Sequence, residues 1–198
     1  MDAEDRVKEP DKRSTLGYVV LDPFYTKSQM EDLLIAIEEN IVYEEPPDNK
    51  AEYATKTSNV NIVPVYSVWN IIRDFIYNLQ FVNREYFGYD IYNDFHLDTF
   101  NYNVYEEGGE YDWHIDGRSY YGKYDIKLSA SINLSLDKYE GGDFNLMLER
   151  DENGYLKKFN TTPGSMIVFN PYKIHKVEPV TKGVRRSISY WAPGPKWR

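Results

Sequence analysis

Residues 163–191 read PGSMIVFNPYKIHKVEPVTKGVRRSISYW, and an earlier segment, residues 110–117, reads EYDWHIDG. Short apolar runs separated by Gly, Pro and Asn are typical of β-strands joined by turns. The two segments also contain His114, Asp116 and His175, and the chain has 3 His in all. Two imidazoles and one carboxylate can occupy one face of a non-haem Fe(II) ion and leave the other face open. We therefore expect a strand-rich fold that carries a metal site.

The rest of the chain divides into a helical part and a strand-rich part. Helical periodicity predicts one helix over residues 28–40, with a capping box formed by Ser28 and Glu31, and a second over 66–87. A first strand is predicted at 17–24. After about residue 90 the predicted strands cover 95–105, 126–136, 143–149, 166–170, 175–180 and 186–191. Helices followed by strands predict an α+β domain in which the helices back a β-sandwich.

The length of 198 residues predicts a single folded domain. We place it at residues 16–198, after a flexible tail at 1–15. Within it, helical support is expected over about 16–90 and the strand core over about 91–198. The segment 44–60 is polar and contains a Pro-Pro pair, which predicts a long loop, and a long loop in a compact domain is often functional.

Composition excludes several function classes. The chain contains no Cys, which excludes disulfides, thiolate catalysis and zinc–cysteine sites. The formal net charge of −9 disfavours contact with phosphate backbones, so no nucleic-acid partner is expected. No apolar run is long enough to cross a membrane, and the charged N-terminal segment lacks the apolar core of a secretory signal. We therefore expect a cytoplasmic protein without a membrane partner.

The spacing of the polar residues supports one shared site. Residues two apart on a strand point to the same face, so His114 and Asp116 can reach one metal from one strand end. The same rule places Arg185 and Ser187 on one face of a later strand. A guanidinium binds a carboxylate through two parallel hydrogen bonds, and a neighbouring hydroxyl can add a third.

Taken together, these motifs resemble those of the Fe(II)/2-oxoglutarate-dependent oxygenases, in particular the prolyl 4-hydroxylase-like branch with its bacterial PKHD-type hydroxylases. The resemblance covers roughly the C-terminal half of the chain. The residues that carry it are Tyr105, Tyr111, His114, Asp116, Gly141, Gly142, Pro163, Gly164, Ser165, His175, Val177, Pro179, Val180, Arg185 and Trp191.

The resemblance implies a double-stranded β-helix, or jelly-roll, core and assigns roles to single residues. His114, Asp116 and His175 match the catalytic iron ligands. Arg185 matches the residue that pairs with the distal carboxylate of 2-oxoglutarate. Further co-substrate contacts are implied for Tyr105, Ser187, Asn133 and Trp191. Asn133 departs from the family pattern, because a Tyr or Phe is common near that position.

The resemblance also implies Fe(II), 2-oxoglutarate and O₂ as cofactors, with ascorbate as a reductant. The expected reaction is hydroxylation of a prolyl residue in a peptide or protein, with release of succinate and CO₂. Two segments are candidates to cover the substrate, namely residues 44–60 and the stretch after Asp116 that contains Tyr120, Tyr121 and Tyr124. The latter stretch is equally consistent with an ordinary exposed turn.

Several alternatives stay open at this point. An oxygenase of this kind can act on a small molecule or a nucleic-acid base. AlkB-like enzymes, however, commonly carry a second Arg six positions after the co-substrate Arg, where this chain has Trp191. A non-enzymatic, cupin-like metal-binding module shares the fold, since fold alone does not decide function, but would not need Arg185. A non-catalytic relative used for assembly is a third alternative, and the oligomeric state is left open.

Overall fold

A computed structural model describes residues 17–45, 56–95, 98–117, 123–147, 157–159 and 161–197. The predicted tail at residues 1–15 lies outside these ranges, so the predicted domain boundaries stay predictions. The described part has two α-helices, α1 (Lys27–Glu38) and α2 (Trp69–Val82). The strands are β1 (Tyr18–Leu21), β2 (Tyr43–Glu45), β3 (Asn59–Pro64), β4 (Thr99–Tyr105), β5 (Tyr111–His114), β6 (Asp125–Asn133), β7 (Glu140–Gly141), β8 (Phe144–Leu146), β9 (Lys157–Phe159), β10 (Met166–Phe169), β11 (His175–Val177), β12 (Val180–Lys182) and β13 (Arg185–Gly194).

The strands form two main antiparallel sheets. The large sheet has seven strands in the order β1-β10-β6-β13-β4-β3-β2, and the small sheet has four in the order β5-β11-β8-β9. Strands β7 and β12 form a separate pair. One cluster of buried side chains joins the two main sheets, and it includes Tyr105 and Phe169 of the large sheet with Phe144 and Val177 of the small one. The sheets therefore pack face to face.

Period-two alternation along β6 separates the two faces of the large sheet. Leu128, Ala130 and Ile132 are buried in the core cluster that the sheet forms with the helices. Ser129 and Ser131 face a cavity between the two sheets. The alternation arises because successive side chains of a strand point to opposite sides of the sheet.

The N-cap of helix α1 lies two residues before the predicted one. Thr26, not Ser28, is the N-cap: its side-chain oxygen accepts a hydrogen bond from the Gln29 backbone N–H at 3.3 Å. Gln29 completes the capping box, because its Oε1 accepts from the Thr26 N–H at 3.0 Å. The predicted capping box of Ser28 and Glu31 is thus wrong. Both sites have the required spacing, and Thr26 has the extended backbone that a cap needs (φ −74°, ψ 163°).

The second predicted helix is confirmed in extent but not in type. A 3₁₀ turn (Val65–Val68) precedes α2, and a π turn (Asn83–Phe87) follows it. The helical stretch ends at Gly88, whose positive φ of 67° suits glycine at a helix C-terminus. The fully buried side chains of α2 pack on the large sheet; they are Ile72, Phe75, Ile76, Leu79 and Val82.

The predicted loop at 44–60 is partly wrong. Its first residues belong to β2, which pairs with β3 at the edge of the large sheet, with Glu45 opposite Val60. Residues 46–55 lie outside the described ranges. Strand β4 begins at Thr99 rather than at residue 95, and residues 175–180 are not one strand, because β11 ends at Val177. No helix in the described ranges is long and apolar enough to cross a membrane.

Candidate metal centre

The structure brings His114, Asp116 and His175 together at one end of the small sheet. His114 ends β5, Asp116 lies in the turn two residues later, and His175 begins β11 directly opposite His114. One ligand atom from each residue lies within 4.8 Å of the others. The Asp116 carboxylate is 3.8 Å from His114 Nε2 and 3.5 Å from His175 Nε2. The H-x-D pair and a histidine 59 positions after Asp116, at 175, thus form one potential metal site.

Backbone hydrogen bonds orient both imidazole rings for metal binding. His114 Nδ1 donates to the carbonyl of Asp112 at 2.7 Å, and His175 Nδ1 donates to the carbonyl of Lys173 at 2.9 Å. A carbonyl oxygen can only accept, so each Nδ1 must carry the proton. The lone pair of each ring is then on Nε2, the atom that faces Asp116. An outer hydrogen bond of this kind fixes the tautomer of a metal-binding histidine.

Asp116 is held by its own backbone and by one hydroxyl. Its N–H and that of Gly117 both donate to the carbonyl of Pro171 at 2.9 Å, and Ser129 Oγ donates to Oδ2 at 2.7 Å. A Cβ atom on Gly117 would lie 2.7 Å from the Tyr172 ring, so glycine lets the turn pack this closely. These hydrogen bonds therefore define the position of the carboxylate.

The electrostatics of the site keep His114 neutral near pH 7. Burial lowers the pKa of His114 to about 4, and the neighbouring His175 acts in the same direction, while Asp116 opposes both. The His114 ring also stacks on Tyr111, with centroids 3.6 Å apart and planes at 14°. A metal therefore meets an imidazole whose Nε2 carries no proton.

Arg185 is a buried cation on the opposite wall of the cavity. Alternation along β13 directs Arg185, Ser187, Ser189 and Trp191 to the cavity. Arg185 is 1% exposed, and its Nη1 donates to Ser187 Oγ at 3.1 Å. Its Nε has no hydrogen-bond partner, and no carboxylate of the described residues lies within ion-pair distance. Burying an unpaired charge is costly, so this arrangement fits a bound anion.

Gly142, in the predicted Gly-Gly turn, makes room for this arginine. Its φ is 65°, a conformation that favours glycine, and a Cβ there would lie 2.9 Å from Arg185 Cδ. On the other side, the Arg185 guanidinium lies 5.2 Å from the centre of the Tyr105 ring. Burial raises the pKa of Tyr105, so its hydroxyl stays protonated. The arginine is therefore held between an aromatic ring and a backbone turn.

The predicted co-substrate residues differ in where they lie. Tyr105, Ser187 and Trp191 line the cavity with the three ligands. Asn133 is not among the lining residues; its amide donates to the carbonyl of Thr161 at 2.6 Å and to Tyr139 Oη at 2.9 Å. A co-substrate contact for Asn133 thus stays a prediction without support from its position.

Other cavity residues were not predicted from the sequence. They are Lys56, Asn103, Ser129, Ser131 and Ser189. Ser129 and Ser131 stand on the strand face that already contained Asn133, and the alternating pattern could have identified them. Lys56 lies in the segment 44–60, which was predicted to be a functional loop, but it belongs to no recognisable sequence motif. Tyr120 and Tyr121 lie outside the described residues.

Comparison with known proteins finds relatives of the C-terminal half of the chain. Residues 100–193 match the model of the 2OG-Fe(II) oxygenase superfamily. A PKHD-type hydroxylase of Stutzerimonas stutzeri is 33% identical over 96 residues, which cover 46% of this chain and 41% of that protein. A PKHD-type hydroxylase of Aliarcobacter butzleri shows the same identity and coverage. The match thus spans about two fifths of the length of these relatives.

Solved structures extend the similarity to the whole fold. A Pseudomonas putida prolyl-4-hydroxylase superimposes with a TM-score of 0.68 at 16% identity, covering 94% of this chain and 97% of that one. The viral collagen prolyl hydroxylase of Paramecium Bursaria Chlorella virus-1, a 2OG complex, gives 0.66 at 17% identity, covering 92% and 98%. A Trichoplax adhaerens prolyl hydroxylase, in complex with a peptide fragment of the hypoxia inducible factor oxygen degradation domain, gives 0.66 at 14% identity, covering 91% and 85%.

These similarities confirm the predicted jelly-roll core and the Fe(II), 2-oxoglutarate and O₂ implied by the family. The residues present fit such cofactors: two imidazoles and a carboxylate suit Fe(II), and the buried Arg185, which has no carboxylate partner among the described residues, suits the free end of a dicarboxylate. The predicted use of ascorbate stays a prediction. Residues 100–193 are thus similar to the 2OG-Fe(II) oxygenase superfamily, and about 46% of the chain is similar to the PKHD-type hydroxylases, on a jelly roll backed by two helices.

Proposed function

We propose that the protein is an Fe(II)- and 2-oxoglutarate-dependent dioxygenase that hydroxylates a prolyl residue of a peptide or protein, with release of succinate and CO₂. One observation carries the proposal. A single cavity holds three candidate metal ligands on one wall and, on the other, a buried arginine with no carboxylate partner among the described residues. A metal site alone would not require that arginine, which argues for a co-substrate anion.

Each side chain has a defined task in this proposal. His114, Asp116 and His175 would hold Fe(II), and Arg185 with Ser187 would hold the distal carboxylate of 2-oxoglutarate. When bound, the metal and the 2-oxoacid supply the activation of O₂ that oxidises a C–H bond. The chain contributes two imidazoles, a carboxylate that accepts a hydrogen bond from Ser129, and a cavity wall that includes the apolar side chains of Phe144 and Phe169.

The prolyl substrate is supported by the relatives. A Pseudomonas putida prolyl-4-hydroxylase and a Trichoplax adhaerens prolyl hydroxylase in complex with a peptide fragment share this fold over more than nine tenths of the chain. A non-enzymatic metal-binding module is the alternative, and it has no use for a cation buried opposite the metal ligands. A small-molecule or nucleic-acid substrate has no specific observation in its favour.

Anaerobic titration with Fe(II) and then 2-oxoglutarate tests the cofactor part of the proposal. We expect a visible charge-transfer band, with Arg185→Ala needing at least roughly tenfold more 2-oxoglutarate, because a charge-assisted hydrogen bond is lost. Arg186→Ala is the matched control, since its side chain leaves the opposite face of the same strand. If Fe(II) binds without a band, the metal-binding module becomes the better interpretation.

Peptide turnover tests the substrate part. Proline-containing peptides should gain one oxygen atom, detected by mass spectrometry, with formation of an equal amount of succinate. His114→Ala should abolish both products, because the metal loses a ligand. Succinate formation without any oxidised peptide across a broad proline-containing panel would contradict the prolyl assignment but not the co-substrate assignment.

A further inference from the structure

Lys56 places a second positive charge in the cavity, away from Arg185. We infer that Lys56 binds a carboxylate of the substrate close to the position that is oxidised, so that the enzyme selects acidic substrates. This inference rests on the proposed function. It adds a specificity-determining residue for which the motifs of the chain contain no signal.

The position of Lys56 is set by the strand that carries His114. Lys56 forms an antiparallel bridge with Tyr111, the first residue of β5. Its Nζ lies 5.2 Å from the centre of the Tyr111 ring, and that ring stacks on His114 at 3.6 Å. One aromatic ring therefore separates the ammonium group from a metal-ligand ring. Lys56 lines the same cavity as the three ligands.

The charge of Lys56 has no acidic partner among the residues that the structure describes. Its side chain is partly buried, and among the described residues no carboxylate lies within ion-pair distance of Nζ. Burial lowers its pKa, while the more distant Glu45 and Asp116 oppose this. A desolvated ammonium is costly unless an anion accompanies it. The chain as a whole has a net charge of −9, so the positive charge of Lys56 is opposite in sign to the net charge of the protein.

The two cations of the cavity come from different sheets. Arg185 stands on β13 of the large sheet, whereas Lys56 is attached to β5 of the small sheet. In the proposed function the co-substrate has one carboxylate on Arg185 and its 2-oxoacid end on the metal. Lys56 is then left for the substrate.

A carboxylate near a prolyl ring can come from two sources. One is an Asp or Glu next to the proline within a chain, and the other is the terminal carboxylate of a chain that ends in proline. Four fluorescent peptides distinguish them: one with an internal Asp-Pro, its Asn-Pro counterpart, one that ends in proline with a free carboxylate, and its amidated counterpart. Their dissociation constants are measured anaerobically by anisotropy on the full chain loaded with Fe(II) and 2-oxoglutarate.

We expect the wild type to bind one acidic peptide roughly tenfold more tightly than its neutral counterpart, as for one charge-assisted hydrogen bond. Lys56→Met should remove this preference, Lys56→Arg should retain most of it, and Lys56→Glu should favour a Lys-Pro peptide. The exposed Lys27, on α1, provides the control variant Lys27→Met, which should keep the preference.

Equal or absent binding of the acidic and neutral peptides by the wild type would overturn the inference. So would a preference that survives in Lys56→Met. A third contrary result is a weaker charge-transfer band with 2-oxoglutarate in Lys56→Met, which would assign the lysine to the co-substrate. These outcomes leave the proposed function intact as long as the wild type forms that band, whereas its absence in the wild type contradicts the proposed function itself.

Discussion

Single residues in the site are held by hydrogen bonds that are already present without a ligand. The two imidazoles use backbone carbonyls at Asp112 and Lys173, and Asp116 uses the hydroxyl of Ser129. Outer contacts of this kind are often worth a factor of roughly 10 to 100 in metal affinity. The chemistry of the site therefore depends on residues that no metal-binding motif contains.

Removal of the Ser129 hydroxyl should weaken metal binding. Ser129→Ala leaves Asp116 Oδ2 without its 2.7 Å hydrogen bond, so we expect the dissociation constant for Fe(II) to rise roughly tenfold or more. Isothermal titration under argon measures it. Ser131→Ala is the control, because Ser131 lies on the same strand face and makes no hydrogen bond to Asp116 in the described part of the chain. Equal Fe(II) affinities in the two variants would show that the Ser129 hydroxyl does not support metal binding.

The lowered pKa of His114 predicts a pH-dependent stability of the metal-free protein. The folded state has a His114 pKa of about 4 and the unfolded state about 6.5, so between these values the unfolded state binds more protons. Stability should therefore fall as the pH drops from 6.5 towards 4. In EDTA, the loss of Tm between pH 7 and pH 4.5 should be smaller in His114→Gln. An identical loss in both proteins would show that His114 does not titrate this way.

At the scale of elements, alternation along the central strands decides which side chains face the helices and which face the cavity. The residues of β6 and β13 divide between an apolar face against the helices and a polar face towards the cavity. A shift of register by one residue would exchange these faces, so the buried apolar face fixes the register of the polar one. The sequence pattern predicts this division directly. It does not predict helix ends as well, because Thr26 and Ser28 both satisfy the local capping rule.

The cap of α1 can be tested with a matched pair. Thr26→Ala should lower the free energy of unfolding by about 1 kcal/mol, because the Gln29 N–H loses its acceptor. Ser28→Ala should change it by less than about 0.5 kcal/mol, as for most exposed surface substitutions. Urea unfolding followed by circular dichroism measures both. A larger loss of unfolding free energy in Ser28→Ala than in Thr26→Ala would indicate that Ser28 is the N-cap, as the sequence predicted.

At the scale of the whole molecule, the site exists only because two sheets meet. The metal ligands belong to the small sheet and the turn after it, while Arg185 belongs to the large sheet. A shared apolar cluster that includes Phe144, Phe169 and Val177 holds the sheets together around the cavity. A bound metal would connect β5 with β11, since His114 and His175 face each other across these strands.

Metal should therefore stabilise the whole fold. At a free metal concentration of about 100 times Kd, binding to the folded state alone adds about 2.7 kcal/mol. The Tm should rise with Fe(II) concentration under anaerobic conditions and return to its starting value when EDTA is added. Asp116→Ala should abolish the rise. A metal-dependent increase that persists in this variant would place the stabilising metal elsewhere.

The sequence by itself determined the strand-rich C-terminal half, the apolar and polar faces of its central strands, and the His-x-Asp pair as candidate metal ligands. These features are local: period-two alternation and a His-x-Asp spacing depend on residues a few positions apart. Only the tertiary structure decided that His175 lies opposite His114, that Arg185 has no carboxylate partner in the described residues, and that Lys56 reaches the same cavity. Pairing of distant strands and burial of charge arise when the two sheets pack together, and no local pattern records them.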